Sequence, residues 1–216
     1  MDKSHEITSV LPEFGANYNV GYIGFTYTDY SVISRGIAWF TRWDKGKNPD
    51  VPNVPLSHVL VVTGQDTCTE ATVPRSKETP LQEYFDAPHT HIFFRKPTDW
   101  TDDMGTRIAW STLNRMGWTY GYTSIVGHAL ANNILGKTLG WATCGWTTKM
   151  FKRVFDKKNQ AICSEFAALA MQDQPEFKGK GVLAKKACEI DPQMLFNDRE
   201  IFCPWTTVAC GKRVVL

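Results

Sequence analysis

A chain of 216 residues, 43% apolar and 21% charged, has an ordinary globular composition and is long enough for one sizeable domain. Its net charge of +2, with the basic residues scattered, gives no electrostatic footprint for nucleic acid. Six irregularly spaced cysteines without a CxxC pair argue against a disulfide framework and a structural zinc site, and for free thiols in a reducing compartment.

Residues 1–19 mix polar and apolar types without a period and read as an N-terminal arm ahead of one domain over 20–216. No basic stretch followed by an apolar one opens the chain, so the expected location is cytoplasmic. "VGYIGFTY", from Val20, is rich in β-branched and aromatic residues and predicts a strand. "YSVISRGIAWFTRW" spaces Val32, Ile33, Ile37 and Phe40 as an amphipathic helix, and the proline-rich "DKGKNPDVPNVP" is a loop. "SHVLVV" and "TCTEATV" read as a hairpin, and "HTHIFFRKP" as a further strand. "TDWTDDMGTRIAWSTLNRMG" is acidic early and carries Arg115 late, as a helix prefers.

Residues 122–157 are apolar and glycine-punctuated and read as a helical insertion. His128, Asn132, Asn133 and Lys137 interrupt any run long enough to span a bilayer, so no transmembrane segment is expected. The insertion suits either a buried helical hairpin or a lid with peripheral membrane contact. A helix from Cys163 then runs to about Gln174, where Pro175 stops it. "EIDPQML" reads as a capped turn, "IFCPW" and "GKRVVL" as closing strands, and Lys178, Lys180, Lys185 and Lys186 as a solvated face. Strands early and helices late predict an α+β fold, an antiparallel sheet packed on helices.

The chemistry-bearing candidates lie in the hairpin and the late helix. If the chain turns through Thr63-Gly64-Gln65, His58 sits directly opposite Glu70 on the same sheet face, where a carboxylate can fix the imidazole tautomer. Cys163 shares a helical face with Phe166, Ala167 and Ala170 and so reads as core. It also stands at a helix N-terminus, where partial positive charge and free N–H groups lower a thiol's pKa and can bind an oxyanion. Glu165 in the first turn suits the same dipole. His89 and His91 offer half of a metal site that no nearby acid or thiol completes, so neither metal nor cofactor is expected.

"SHVLVV", then "TEA" twelve residues after the histidine, and much later "CSEF" resemble the circularly permuted papain-like cysteine hydrolases. These form the YiiX-like branch of the NlpC superfamily, with lecithin:retinol acyltransferase a more distant relative. The helix before the histidine strand, the Tyr-led "YGYTSIVGHAL" and the proline-containing "EIDPQML" extend the likeness over roughly residues 20 to 200. The chain departs from the family pattern at Gly21-Tyr22, where Gly-Asp is usual, and at Tyr120-Gly121, where Tyr-Asp is usual.

The resemblance implies Cys163 as nucleophile, His58 as its base and later acid, Glu70 as orienter, and the Cys163 N–H as an oxyanion donor. It implies hydrolysis of an amide in a peptide or peptidoglycan stem through an acyl-enzyme, a substrate class that a phage-borne or exported enzyme would meet. The apolar insertion motivates a rival, acyl transfer or ester cleavage on an acyl lipid. A non-catalytic binding module is the third reading.

Overall fold

The computed structural model describes residues 13–28, 56–121 and 160–204. The helix expected over "YSVISRGIAWFTRW", the loop after it, the insertion at 122–157 and the terminal "GKRVVL" lie outside these residues.

Five strands, β1 (Ile23–Thr28), β2 (His58–Val62), β3 (Thr67–Glu70), β4 (Lys77–Pro80) and β5 (Thr90–Arg95), form one antiparallel sheet in the order β4-β3-β2-β1-β5. Helices α1 (Gln82–Asp86), α2 (Asp102–Leu113), α3 (Cys163–Gln172) and α4 (Pro192–Asn197), with three short 3-10 turns between α3 and α4, complete the described elements. A two-stranded parallel ladder joins β6 (Thr119–Tyr120) to β7 (Gln160–Ala161). The expected α+β class is thus met at the level of an antiparallel sheet with helices.

Both faces of the central strands are buried, which is why their sequences are apolar at consecutive positions. Ile23, Phe25, Val59, Val61 and Phe93 pack with Ala167, Ala170 and Met171 of α3 in one cluster. Leu60, Val62, Cys68, Ile92 and Phe94 face the other way, onto Tyr18, Tyr22, Leu81 and Phe85. Tyr18 stacks on Phe94 at 4.8 Å, so the last residues read as an arm are part of this second layer. Tyr22 is also buried, edge-on to Trp100, as a packed tyrosine.

α3 approaches the sheet closely because Ala167, Ala168 and Ala170 present only methyl groups, and all three are fully buried. Thr101 caps α2 through Met104 N at 3.2 Å, and Asp191 caps α4 through Met194 N at 2.8 Å, with Pro192 at the first helical position.

Several expected boundaries differ. The "TCTEATV" strand is confined to Thr67–Glu70. β4 and α1 were not expected, because "KETPLQEYFD" is too polar to announce a strand and too short to announce a helix. Phe202 makes one isolated bridge to Pro97 rather than a strand. α3 ends at Gln172, and Pro175 opens the next 3-10 turn.

The hairpin register is corrected as well. Thr63 N and Gly64 N both bond Thr67 O, which centres the loop on Gln65, and Glu70 stands opposite Leu60 rather than His58. Moving the turn centre by one residue shifts the pairing by two, so Glu70 and His58 keep a common face and become diagonal neighbours.

Candidate active site

Each participant is fixed by its own element. β2 begins at His58, paired with Thr26 of β1. The residues before it are tied down, Ser57 N to Thr26 O at 3.0 Å and Leu56 N to Gln193 Oε1 of α4 at 3.4 Å. Glu70 ends β3. Cys163 follows the β7 ladder after a single extended residue, Ile162 (φ −85°, ψ 166°), so it stands where an extended backbone turns into a helix. Glu165 Oε2 accepts the Ile162 N–H at 3.4 Å, and Ser164 Oγ donates to Ile190 O at 2.7 Å, which anchors the helix start.

The fold brings all three expected side chains together. His58 Nε2 lies 2.5 Å from Glu70 Oε2, and the imidazole interacts with the Cys163 thiol. With Nε2 held by the carboxylate, Nδ1 is the nitrogen left for sulfur. The backbone N–H groups of Val59 and Ser164 also favour the ionised sulfur. The Cys163 N–H, at the first helical position, stands outside the helical ladder and is available to an oxyanion.

The electrostatics favour a separated pair of charges. Burial pushes the thiol up, yet His58 and the two backbone N–H groups overcome it and hold Cys163 below its ordinary value. Burial pulls the imidazole down, but Cys163 and Glu70 raise it to about 10. Burial would raise Glu70, whereas hydrogen bonds from His58, Thr79 and Tyr84 depress it to about 2. The lowered thiol, the raised imidazole and the lowered carboxyl all favour the charged forms, each charge beside its opposite. Cys163 retains 4% of its surface and the His58 side chain 20%.

Two members of this cluster gave no sequence signal. Thr79 Oγ1 donates to Glu70 Oε1 at 2.6 Å, and Tyr84 Oη donates to Oε2 at 2.5 Å. Both belong to the unexpected elements β4 and α1.

The other candidates separate from this site. His91 lies in β5 stacked on Tyr27 at 5.9 Å, while His89 precedes the strand. Among the described residues no group of three His, Cys, Asp or Glu side chains is arranged to hold a metal ion, and no helix is long and apolar enough to cross a membrane. Tyr120 packs with Trp118 against Ala71, Ala161 and Phe166, beside the start of α3. A groove of about 570 Å³ lined by Arg107, Trp110, Arg115, Trp118 and Asp173 includes none of the three residues. Among the described residues, Cys68, Cys163 and Cys203 are free thiols.

No protein-family model matches the chain, and no curated protein matches it.

Proposed function

We propose that the protein is a cysteine hydrolase of permuted papain-like fold that cleaves an amide bond through an acyl-enzyme. The observation that carries this reading is the contact chain Glu70–His58–Cys163, assembled from β3, β2 and the start of α3, with the thiol held below its ordinary pKa. Such a chain supplies each step. The thiolate adds to a carbonyl carbon, and the Cys163 N–H faces the developing oxyanion. The imidazolium gives its proton to the departing amine as the C–N bond breaks. Neutral His58 then takes a proton from water, whose oxygen forms the new bond to the acyl carbon and displaces the sulfur. Glu70 stabilises the cation each time it re-forms.

A peptide or peptidoglycan-stem amide is the substrate class implied by the sequence resemblance. The lipid reading rests on residues 122–157, outside the described part.

Alkylation tests the proposal. At pH 7 iodoacetamide is expected to label Cys163 about tenfold faster than Cys188 or Cys203, because the thiolate is the nucleophile and His58 favours that form of Cys163. His58→Ala should abolish that advantage. Equal rates at all three sulfurs, unchanged by His58→Ala, would leave a binding module that keeps the fold without turnover. Trapping with peptide-amide and phospholipid-ester probes distinguishes the two acyl donors by the adduct found on Cys163.

A further inference from the structure

One side chain touches both the sulfur's base and the carboxylate that holds it, and was absent from every sequence motif. Tyr84, on the short helix α1, donates its hydroxyl to Glu70 Oε2 at 2.5 Å, the same oxygen that His58 Nε2 meets at 2.5 Å. Its ring lies nearly parallel to the imidazole, at 15° and 6.3 Å between centroids. We propose that Tyr84 is a positioning residue of the Cys163–His58–Glu70 group, aiming the carboxylate with its hydroxyl and favouring the imidazolium with its ring face. This rests on the hydrolase reading and adds a residue to it.

Rigidity makes the double contact effective. Tyrosine has two side-chain torsions, so one placement of its ring fixes both the hydroxyl on Glu70 and the plane facing His58. Glu70 is buried and carries its charge among three donors, with Thr79 on Oε1 and Tyr84 sharing Oε2 with His58. Removing the phenol hydroxyl leaves Oε2 with the imidazole alone and frees the carboxylate to rotate about its Thr79 bond. The aromatic face contributes differently: a cation beside a π-system is favoured over the neutral ring, and an imidazolium is the state that keeps the sulfur ionised.

Titratable groups of the described elements act on both rings. Cys163 and Glu70 act on His58, and Glu70, Cys68 and Cys163 act on Tyr84. Burial and these neighbours push the phenol well above its ordinary value, so it remains a donor wherever the thiolate–imidazolium pair exists.

Filling space alone is the alternative, because Tyr84 also packs on the apolar layer behind the sheet. Phenylalanine would satisfy that role. The experiment is therefore the pH dependence of Cys163 alkylation by iodoacetamide in the full chain, compared with Tyr84→Phe and Tyr84→Leu. Protection of Cys68 from the reagent serves as the check that each variant is folded.

Tyr84→Phe should move the acid limb of the profile upward and slow labelling on that limb about threefold. Tyr84→Leu, lacking both contacts, should slow it about tenfold or more. If Tyr84→Phe superimposes on the parent and only Tyr84→Leu changes with loss of Cys68 protection, Tyr84 is packing and the proposal falls while the triad stands. If the parent's Cys163 reacts no faster than Cys188, the hydrolase reading fails first and this inference with it.

Discussion

At the scale of the residue, the consequential group is Glu70. A carboxylate with its side chain 5% exposed is tolerated only because hydroxyls and an imidazolium surround it. Its folded pKa of about 2 lies below the ordinary 4.5, which fixes the sign of its linkage. The stabilisation is complete above about pH 4.5 and is lost as the pH falls towards 2, because the unfolded chain takes up the proton first. The span corresponds to something on the order of 3 kcal/mol. Urea midpoints measured between pH 5 and pH 2 should fall steeply for the parent and be much flatter for Glu70→Gln; parallel curves would mean that Glu70 is not held as an ionised group.

His58 and Cys163 depend on one another in the opposite sense. The raised imidazole owes its position to the sulfur as well as to Glu70, and the lowered thiol owes its own to the imidazole. The residue identities were legible in the sequence as a histidine, an acid and a cysteine. The two hydroxyls that complete Glu70 were not, because nothing in "KETPLQEY" marks Thr79 or Tyr84 as polar residues turned inward.

At the scale of the element, glycine decides how α2 reaches the sheet. Gly21 has φ +82°, and a Cβ there would stand 2.4 Å from Gly105 Cα, while a Cβ on Gly105 would stand 2.2 Å from Val20 O. The helix and the entry to β1 therefore cross backbone to backbone. Helix propensity alone makes Gly105→Ala stabilising by about 1 kcal/mol. The collision is with a carbonyl oxygen of the main chain, which cannot rotate away, and it outweighs propensity. Gly105→Ala should destabilise the protein by about 1–3 kcal/mol, read as a lower urea midpoint at unchanged slope. A higher midpoint would show that α2 can retreat without loss.

Strand legibility followed burial. β1, β2 and β5 are apolar on both faces and were read from composition. β4, at the edge of the sheet, buries Thr79 alone among its four residues and carries no such pattern. The hairpin register was misplaced by two because turn chemistry around Thr63-Gly64-Gln65-Asp66 permits more than one loop centre, and main-chain bonds to Thr67 O select among them.

For the whole molecule, the sheet is the insulator between two apolar layers, with the reactive cluster at its β2–β3 corner. Cys68 belongs to the layer away from α3. It is fully buried and its thiol is pushed well above the ordinary value by burial, with Glu70 and Glu83 adding to the rise. Labelling of Cys68 should therefore require opening of the sheet and follow the global unfolding equilibrium as urea is raised, whereas Cys163 labelling should proceed below the transition. If both sulfurs react in parallel across the urea series, Cys68 and Cys163 do not differ in access.

The sequence by itself determined the apolar central strands, the helix that starts at Cys163, the α+β class and the three residue types of the candidate site. These are local properties, written in periodicity, propensity and capping within a few residues. The tertiary structure decided the hairpin register, the inward turn of Thr79 and Tyr84, and the meeting of a sulfur with an imidazole more than a hundred positions earlier in the chain. Such distances follow from how a sheet face, a strand-to-helix junction and an edge strand pack together, and packing is a property of all of them at once.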